Sequence, residues 1–153
     1  MKANFTLLPE ATGTVQAGTK KVILGQLAGR FADVYGLDRE LVIERLEQRE
    51  ALGSTGFGRG VAIPHARIPG LRQSVSAFLR LESPVDFNSS DGVPVNLVFG
   101  LLSPENSGPA HLHALAAISR ILRDERMREL LVHATGPEAL YGLLSNVSDR
   151  DAA

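Results

Sequence analysis

The chain of 153 residues contains no cysteine. Disulfide staples, thiolate nucleophiles and cysteine-ligated metals are thereby excluded, and the composition suits a reducing compartment. Neither sign of charge is in excess: 16 Lys and Arg stand against 17 Asp and Glu, a formal net charge of −1. Nucleic acid is therefore not expected as the main partner, and there is no strongly acidic tail. No run approaches the ~18 apolar residues of a membrane-spanning helix. The first residues, "MKANFTLLPEATGTVQAGTKK", lack the apolar centre of a secretory leader. No repeat or low-complexity tract occurs. A cytoplasmic protein without membrane insertion is the expectation.

What is present is an ordinary globular mixture, 44 % hydrophobic and 22 % charged. That length suits one domain over 1–153, with an ordered core of about 5–147 and a flexible tail over 148–153. Residues 1–18 mix Pro, Gly and Thr without periodicity and read as an entry segment. Thr19 is placed to cap a helix through "KKVILGQLAGRFADVYG", carrying Ile23, Leu27 and Phe31 and ending at Gly36. Asp38 is placed to cap a second, carrying Leu41, Ile43 and Leu46 and stopped by Gly53. "GVAIP" reads as a short strand. "SVSAFLRLE" alternates, so Val75, Ala77, Leu79 and Leu81 point to one better-buried face. "VNLVFGLLS" is apolar enough for a strand buried on both faces. "HLHALAAISRILRD" reads as a helix carrying Leu112, Leu115, Ile118 and Leu122, and two further helical stretches follow around Gly136 and Pro137. Helices, then strands, then helices predict an α/β (α+β) domain, with a mixed central sheet flanked by helices.

Chemistry is concentrated in "GSTGFGRGVAIPHARI", residues 53–68. Four glycines lead into a short apolar strand, then Pro64 and His65. Proline fixes its own φ and restricts Ile63, so the imidazole is held rigidly. The glycines allow backbone N–H groups to approach an anion closely. A neutral imidazole is a good nucleophile near pH 7. A nucleotide loop fits poorly: Gly53 and Gly58 have the phosphate-loop separation, but Arg59-Gly60 stands where Lys-Ser/Thr is required.

The other histidines are His111, His113 and His133. "HLH" cannot be a helical metal pair, because positions i and i+2 lie about 200° apart. His111 sits at the expected helix start with its ring facing a site. His113 is expected at the edge of the apolar face, and His133 on the surface. A metal held by His65, His111 and a carboxylate, Glu105 or Asp91, is a second reading of the same residues. Arg49, Arg59 and Arg67 bracket the loop and offer charge to a phosphoryl group or an acidic partner.

Arg49 to Ile68 resembles the active-site signature of the mannitol/fructose-type enzyme IIA domains of the bacterial phosphoenolpyruvate-dependent phosphotransferase system. The match is to Val61-Ala62-Ile63-Pro64-His65 after a GSTG-x-G loop, and it is specific. "PVDFNSSDGVPVNLVFGLLSPENSGPAHLHAL" resembles the family's following segment, and the likeness runs from about residue 15 to 145. With no transporter or carrier domain fused to it, the chain is most similar to the nitrogen-regulatory branch. Ala66 stands where that branch often has glycine.

The resemblance implies a phosphocarrier. His65 would accept a phosphoryl group from a small histidine-phosphocarrier protein, His111 would stabilise it, and Arg49 would compensate its charge. Phe57, Val61 and Ile68 would form an apolar docking collar. The resemblance implies no cofactor, metal or nucleotide. The output would be regulatory; delivery to the IIB domain of a sugar transporter, or a binding module without turnover, are the alternatives.

Overall fold

Two capped helices lead into the sheet. The Thr19 hydroxyl accepts the Val22 N–H at 3.2 Å and opens α1, Lys20–Tyr35; Gly36, at φ 70°, closes it by donating to the Ala32 carbonyl. Asp38 accepts the Glu40 N–H and opens α2, Arg39–Ala51. Ile23, Leu27 and Phe31 of α1 are buried as the spacing predicts. On α2 the buried pair is Val42 and Leu46, with Leu41 and Ile43 half-buried on either side. The computed structural model describes residues 4–152, with side-chain surroundings for residues 4–146.

Six strands form one mixed sheet in the order β1-β5-β6-β3-β2, with β4 also on β6. They are β1 Thr6–Val15, β2 Gly56–Gly58, β3 Val61–Ala62, β4 His65–Ile68, β5 Val75–Val85 and β6 Val95–Pro104. β5 and β6 are antiparallel; β1 is parallel to β5, and β3 and β4 are parallel to β6. Helices α3 Pro109–Arg123, α4 Glu125–His133 and α5 Pro137–Ala152 complete the domain. The α5 backbone is helical over residues 148–152, the stretch expected to form a tail; residue 153 lies outside the described residues. Among the described residues no helix is long and apolar enough to cross a membrane.

Helices cover both faces of the sheet. Ile23, Leu27 and Phe31 of α1 and Val42 and Leu46 of α2 pack with Ala77, Leu79, Val98 and Leu102. Ile118, Leu122, Leu131, Leu140 and Leu144 pack with Phe78, Leu97, Phe99 and Leu101 on the other face. Each such side chain contributes roughly 1.5–3 kcal/mol by leaving water. The packing is tight at Gly100, where a Cβ would lie 2.7 Å from Leu27 Cδ2. The one better-buried face expected for β5 is therefore corrected: Val75 to Leu79 are buried consecutively, because each face has its own helical layer.

Three further corrections concern local structure. The segment read as an irregular entry contains the edge strand β1. A register shift between Leu7 and Thr12 breaks its period of two, and the Tyr35 hydroxyl holds it to β5, accepting from Leu8 N–H and donating to the Ser76 carbonyl. On α3 the buried stripe is His111, Ala114, Ala117, Ile118, Ile121 and Leu122, while Leu112 is exposed. Last, His65 does not end the short apolar strand. It opens β4, which continues β3 along β6 without a change of register; the break at Ile63-Pro64 arises because proline has no N–H and the Ile63 N–H turns to the Thr55 carbonyl.

Candidate functional site

The site forms where three elements meet. The last two turns of α2 supply Arg45, Gln48, Arg49 and, just beyond them, Leu52; β4 opens with His65 and carries Arg67; α3 brings in His111. These residues line a cleft of about 380 Å³. A second cleft of about 400 Å³, bordered by Thr55, Phe57 and Leu115, lies on the other side of His65 and Arg49. The two side chains thus form a ridge between two open concavities.

The tautomer of His65 follows from its partners. Nδ1 lies 2.8 Å from the Ile63 carbonyl, an acceptor, so Nδ1 carries the hydrogen. The lone pair is then on Nε2, which accepts from Arg49 Nε at 3.3 Å. Arg49 is itself fixed by donating from Nη1 to the Gly53 carbonyl at 2.9 Å. Burial pushes the His65 pKa below its ordinary value; the Ile63 carbonyl opposes this, the Arg49 charge adds to it, and Glu50 opposes it weakly. The ring is a neutral base near pH 7, with one in-plane lone pair facing outward.

His111 is almost fully buried, 6 % exposed, and its ring centroid lies 5.5 Å from that of His65. Its Nδ1 is 2.8 Å from the Ser103 hydroxyl. Burial, then the positive fields of His65 and Arg67, push its pKa down to about 4. Arg67 borders the cleft with it. Arg45 donates to the Arg67 carbonyl at 3.2 Å and to Glu105 at 3.4 Å, which orders the cleft's far wall.

Glu50 anchors the glycine loop from beneath. Its carboxylate accepts from the Thr55 N–H at 2.8 Å, the Thr55 hydroxyl, and Lys20 at 2.9 Å. The loop is then a self-satisfied hairpin. The Gly56 N–H goes to the Ser54 hydroxyl, and the Arg59 N–H goes to Asp91 at 2.8 Å. Gly58 and Gly60 flank Arg59 at φ 101° and 84°, the left-handed region the tight turn needs. Of the loop N–H donors expected to face an anion, those of Thr55, Gly56 and Arg59 are taken by Glu50, Ser54 and Asp91. Positive charge at His65 comes from arginine side chains instead.

Of the bracketing arginines, Arg49 and Arg67 reach the cleft, while Arg59 is exposed at the hairpin tip. His113 and His133 are both exposed. The metal reading loses its carboxylates, since Glu105 pairs with Arg45 and Asp91 caps the Arg59 and Val93 N–H groups. Among the described residues no group of three or more His, Asp or Glu is placed to hold a metal ion. The docking collar is also corrected. Val61 and Ile68 are 0 % and 2 % exposed and belong to the core, so neither can touch a partner. Phe57 is exposed, as are Leu52, 85 % exposed, and Leu112, 61 % exposed. Arg45, Gln48 and Leu52 escaped the sequence reading, although with Arg49 they recur at i, i+3, i+4 and i+7, one stripe of a helix.

The family model described as phosphoenolpyruvate-dependent sugar phosphotransferase system, EIIA 2, matches residues 10–147. A nitrogen regulatory protein of Bradyrhizobium diazoefficiens is 44 % identical over 138 residues, 90 % of each chain. One from Pseudomonas aeruginosa is 43 % identical over 136 residues, 88 % of each. The crystal structure of nitrogen regulatory protein IIA-Ntr from Neisseria meningitidis superposes with a TM-score of 0.84 at 36 % identity, covering 90 % of this chain and 95 % of that one. Mannitol IIA from Escherichia coli shares the fold, with a TM-score of 0.72 at 22 % identity over 86 % of this chain and 92 % of that one.

Proposed function

Because the chain belongs to the EIIA 2 family of the phosphoenolpyruvate-dependent sugar phosphotransferase system, we propose that it is a phosphocarrier that accepts a phosphoryl group on Nε2 of His65 from the phosphohistidine of a small carrier protein. The observation that carries this reading is the orientation of His65: Nδ1 is committed to Ile63 and Nε2 is turned to Arg49 at the ridge between the clefts. In the transfer the Nε2 lone pair attacks phosphorus. The new N–P bond forms as the donor's P–N bond breaks, and the donor ring leaves with that electron pair. No proton has to move, because Nδ1 keeps its hydrogen on the Ile63 carbonyl throughout.

Exchange between two imidazoles has little intrinsic driving force, so positioning and charge compensation carry the rate. Arg49 is in reach of the developing phosphoryl group, and Arg45 and Arg67 add positive potential from the cleft wall. Leu52, Phe57 and Leu112 provide apolar contact around a polar centre, the anatomy of a transient docking surface. No cofactor enters the scheme, and the site is proposed to work in the cytoplasm.

A regulatory output is favoured by the two relatives above, which are called nitrogen regulatory proteins and align over nine-tenths of the chain. The phosphorylated and free forms differ by up to two negative charges at an exposed ridge, enough to change which targets dock. Delivery to a IIB domain is the second reading; it is favoured by a fructose-specific EIIA component of Haloferax volcanii, 36 % identical over 72 % of this chain and 71 % of that one. Incubation with phosphoenolpyruvate, enzyme I and the carrier tests the acceptor. An acid-labile gain of one phosphoryl group, absent in His65→Ala, is expected; no gain with a charged carrier favours a binding module instead. Offering the phosphorylated protein to a fructose-type IIB domain separates the two outputs.

A further inference from the structure

Two buried hydroxyls stand behind His111. Ser103, on β6, has no exposed surface, and Ser74, just before β5, is 8 % exposed. The Ser74 hydroxyl donates to Ser103 Oγ at 2.9 Å, and Ser103 Oγ lies 2.8 Å from His111 Nδ1. A serine hydroxyl has one hydrogen to give. With Ser74 giving its hydrogen to Ser103, the Ser103 hydrogen is left for His111 Nδ1, which then presents a lone pair. A neutral imidazole with a bare Nδ1 carries its hydrogen on Nε2, on the side of the ring away from Ser103. The opposite chain direction would aim a lone pair at the cleft, against the oxygens of any phosphoryl group there.

We infer that the Ser74–Ser103 pair sets the tautomer of His111, holding its hydrogen on Nε2 so that the ring donates to a phosphoryl group on His65. The inference rests on the reading of His65 as the acceptor. Ser103 is thereby a positioning residue: it touches neither phosphoryl group nor donor and acts through His111. Burial, with Arg67 nearby, keeps the ring neutral, so it stabilises the anion through a directed N–H and not through a full charge. The arrangement lies outside the glycine-loop signature, since its serines come from the start of β5 and the end of β6, which antiparallel pairing brings together where Val75 faces Leu102.

Long-range 1H–15N spectra of the ring nitrogens, with phosphoryl-uptake rates at saturating carrier, test the pair. In the wild type, His111 is expected to show a bare Nδ1 and a protonated Nε2. Ser103→Ala is expected to mix the tautomers and to slow uptake roughly tenfold, the value of one directed hydrogen bond, without changing the half-saturating carrier concentration. Ser74→Ala, which leaves the partner of His111 in place, is expected to shift the tautomer in the same direction and to serve if Ser103→Ala folds poorly. A wild-type ring protonated on Nδ1 would overturn the inference, as would either variant with an unchanged tautomer and rate. A wild type that takes up no phosphoryl group would overturn the acceptor reading itself, and the pair's role with it.

Discussion

Arg49 Nε donates to His65 Nε2 across 3.3 Å, so the resting site places a cation on the lone pair that phosphoryl capture would use. The contact is long for a hydrogen bond and is easily given up. When phosphorus takes the lone pair, the guanidinium is left beside the new phosphoryl oxygens. Arg49→Ala is expected to slow phosphoryl uptake by ~10²-fold or more, the scale for losing one preorganised charge. Arg49→Lys should recover little, since an ammonium lacks the planar fork that also holds the Gly53 carbonyl. NMR titration of His65 should show its pKa rising in Arg49→Ala, because the Arg49 charge is one cause of its depression. An unchanged rate and an unchanged titration would remove Arg49 from the account.

The two neutral histidines make stability depend on pH in a defined direction. Each binds its proton more weakly folded than unfolded, so the unfolded chain takes up more protons as pH falls and stability is lost. For His111 the window runs from the ordinary 6.5 down to about 4. Its full loss, below that window, is roughly 3 kcal/mol at most. Denaturant midpoints from pH 7 to 4 should fall more steeply in the wild type than in His111→Gln. The midpoint at which phosphoryl uptake falls with pH should lie below 6.5, since burial and the Arg49 charge lower the His65 pKa from its ordinary value. A rate that halves at 6.5 or above would contradict the neutral-base description.

The exposed apolar ring is separable from the fold. Leu52→Asp and Phe57→Asp place a charge where solvent already reaches, so melting temperatures should barely move. Each should raise the half-saturating carrier concentration by about 10- to 100-fold, the range of an interface anchor. Leu130→Asp, at the exposed far end on α4, serves as the control. Equal kinetics for all three would show that the donor docks elsewhere.

Glu50 connects the loop to the fold. Its carboxylate is buried and accepts from Thr55 twice and from Lys20. Glu50→Ala leaves a buried N–H, a hydroxyl and an ammonium without their partner. A loss of about 2–4 kcal/mol in unfolding free energy is expected. Chemical denaturation checks it, and a loss below the scatter of such measurements would mean that water replaces the carboxylate.

Sequence alone carried the features decided locally. Thr19, Gly36 and Asp38 end or begin helices through bonds to residues two to four positions away, and such bonds leave their signature in composition. His65 and Arg49 were legible because the loop signature around them is contiguous. Legibility failed where distant segments decide. The Ser103–Ser74 contact depends on β5 and β6 pairing, and nothing near either serine announces it. The α3 stripe was misread because large leucines suggest burial, whereas the space against β6 accepts Ala114 and Ala117 and leaves Leu112 outside. Val61 and Ile68 looked like collar residues beside His65, but β3 is buried on both faces and alternation along β4 turns Ile68 inward.

The central claim is that a phosphoryl group is carried on Nε2 of His65, and the ring nitrogens report it directly. Protein labelled with 15N, phosphorylated by the charged carrier and observed by phosphorus–nitrogen coupling, should show one bond from phosphorus to His65 Nε2, with Nδ1 still protonated. Coupling to Nδ1 of His65, or to any nitrogen of His111, would contradict the account.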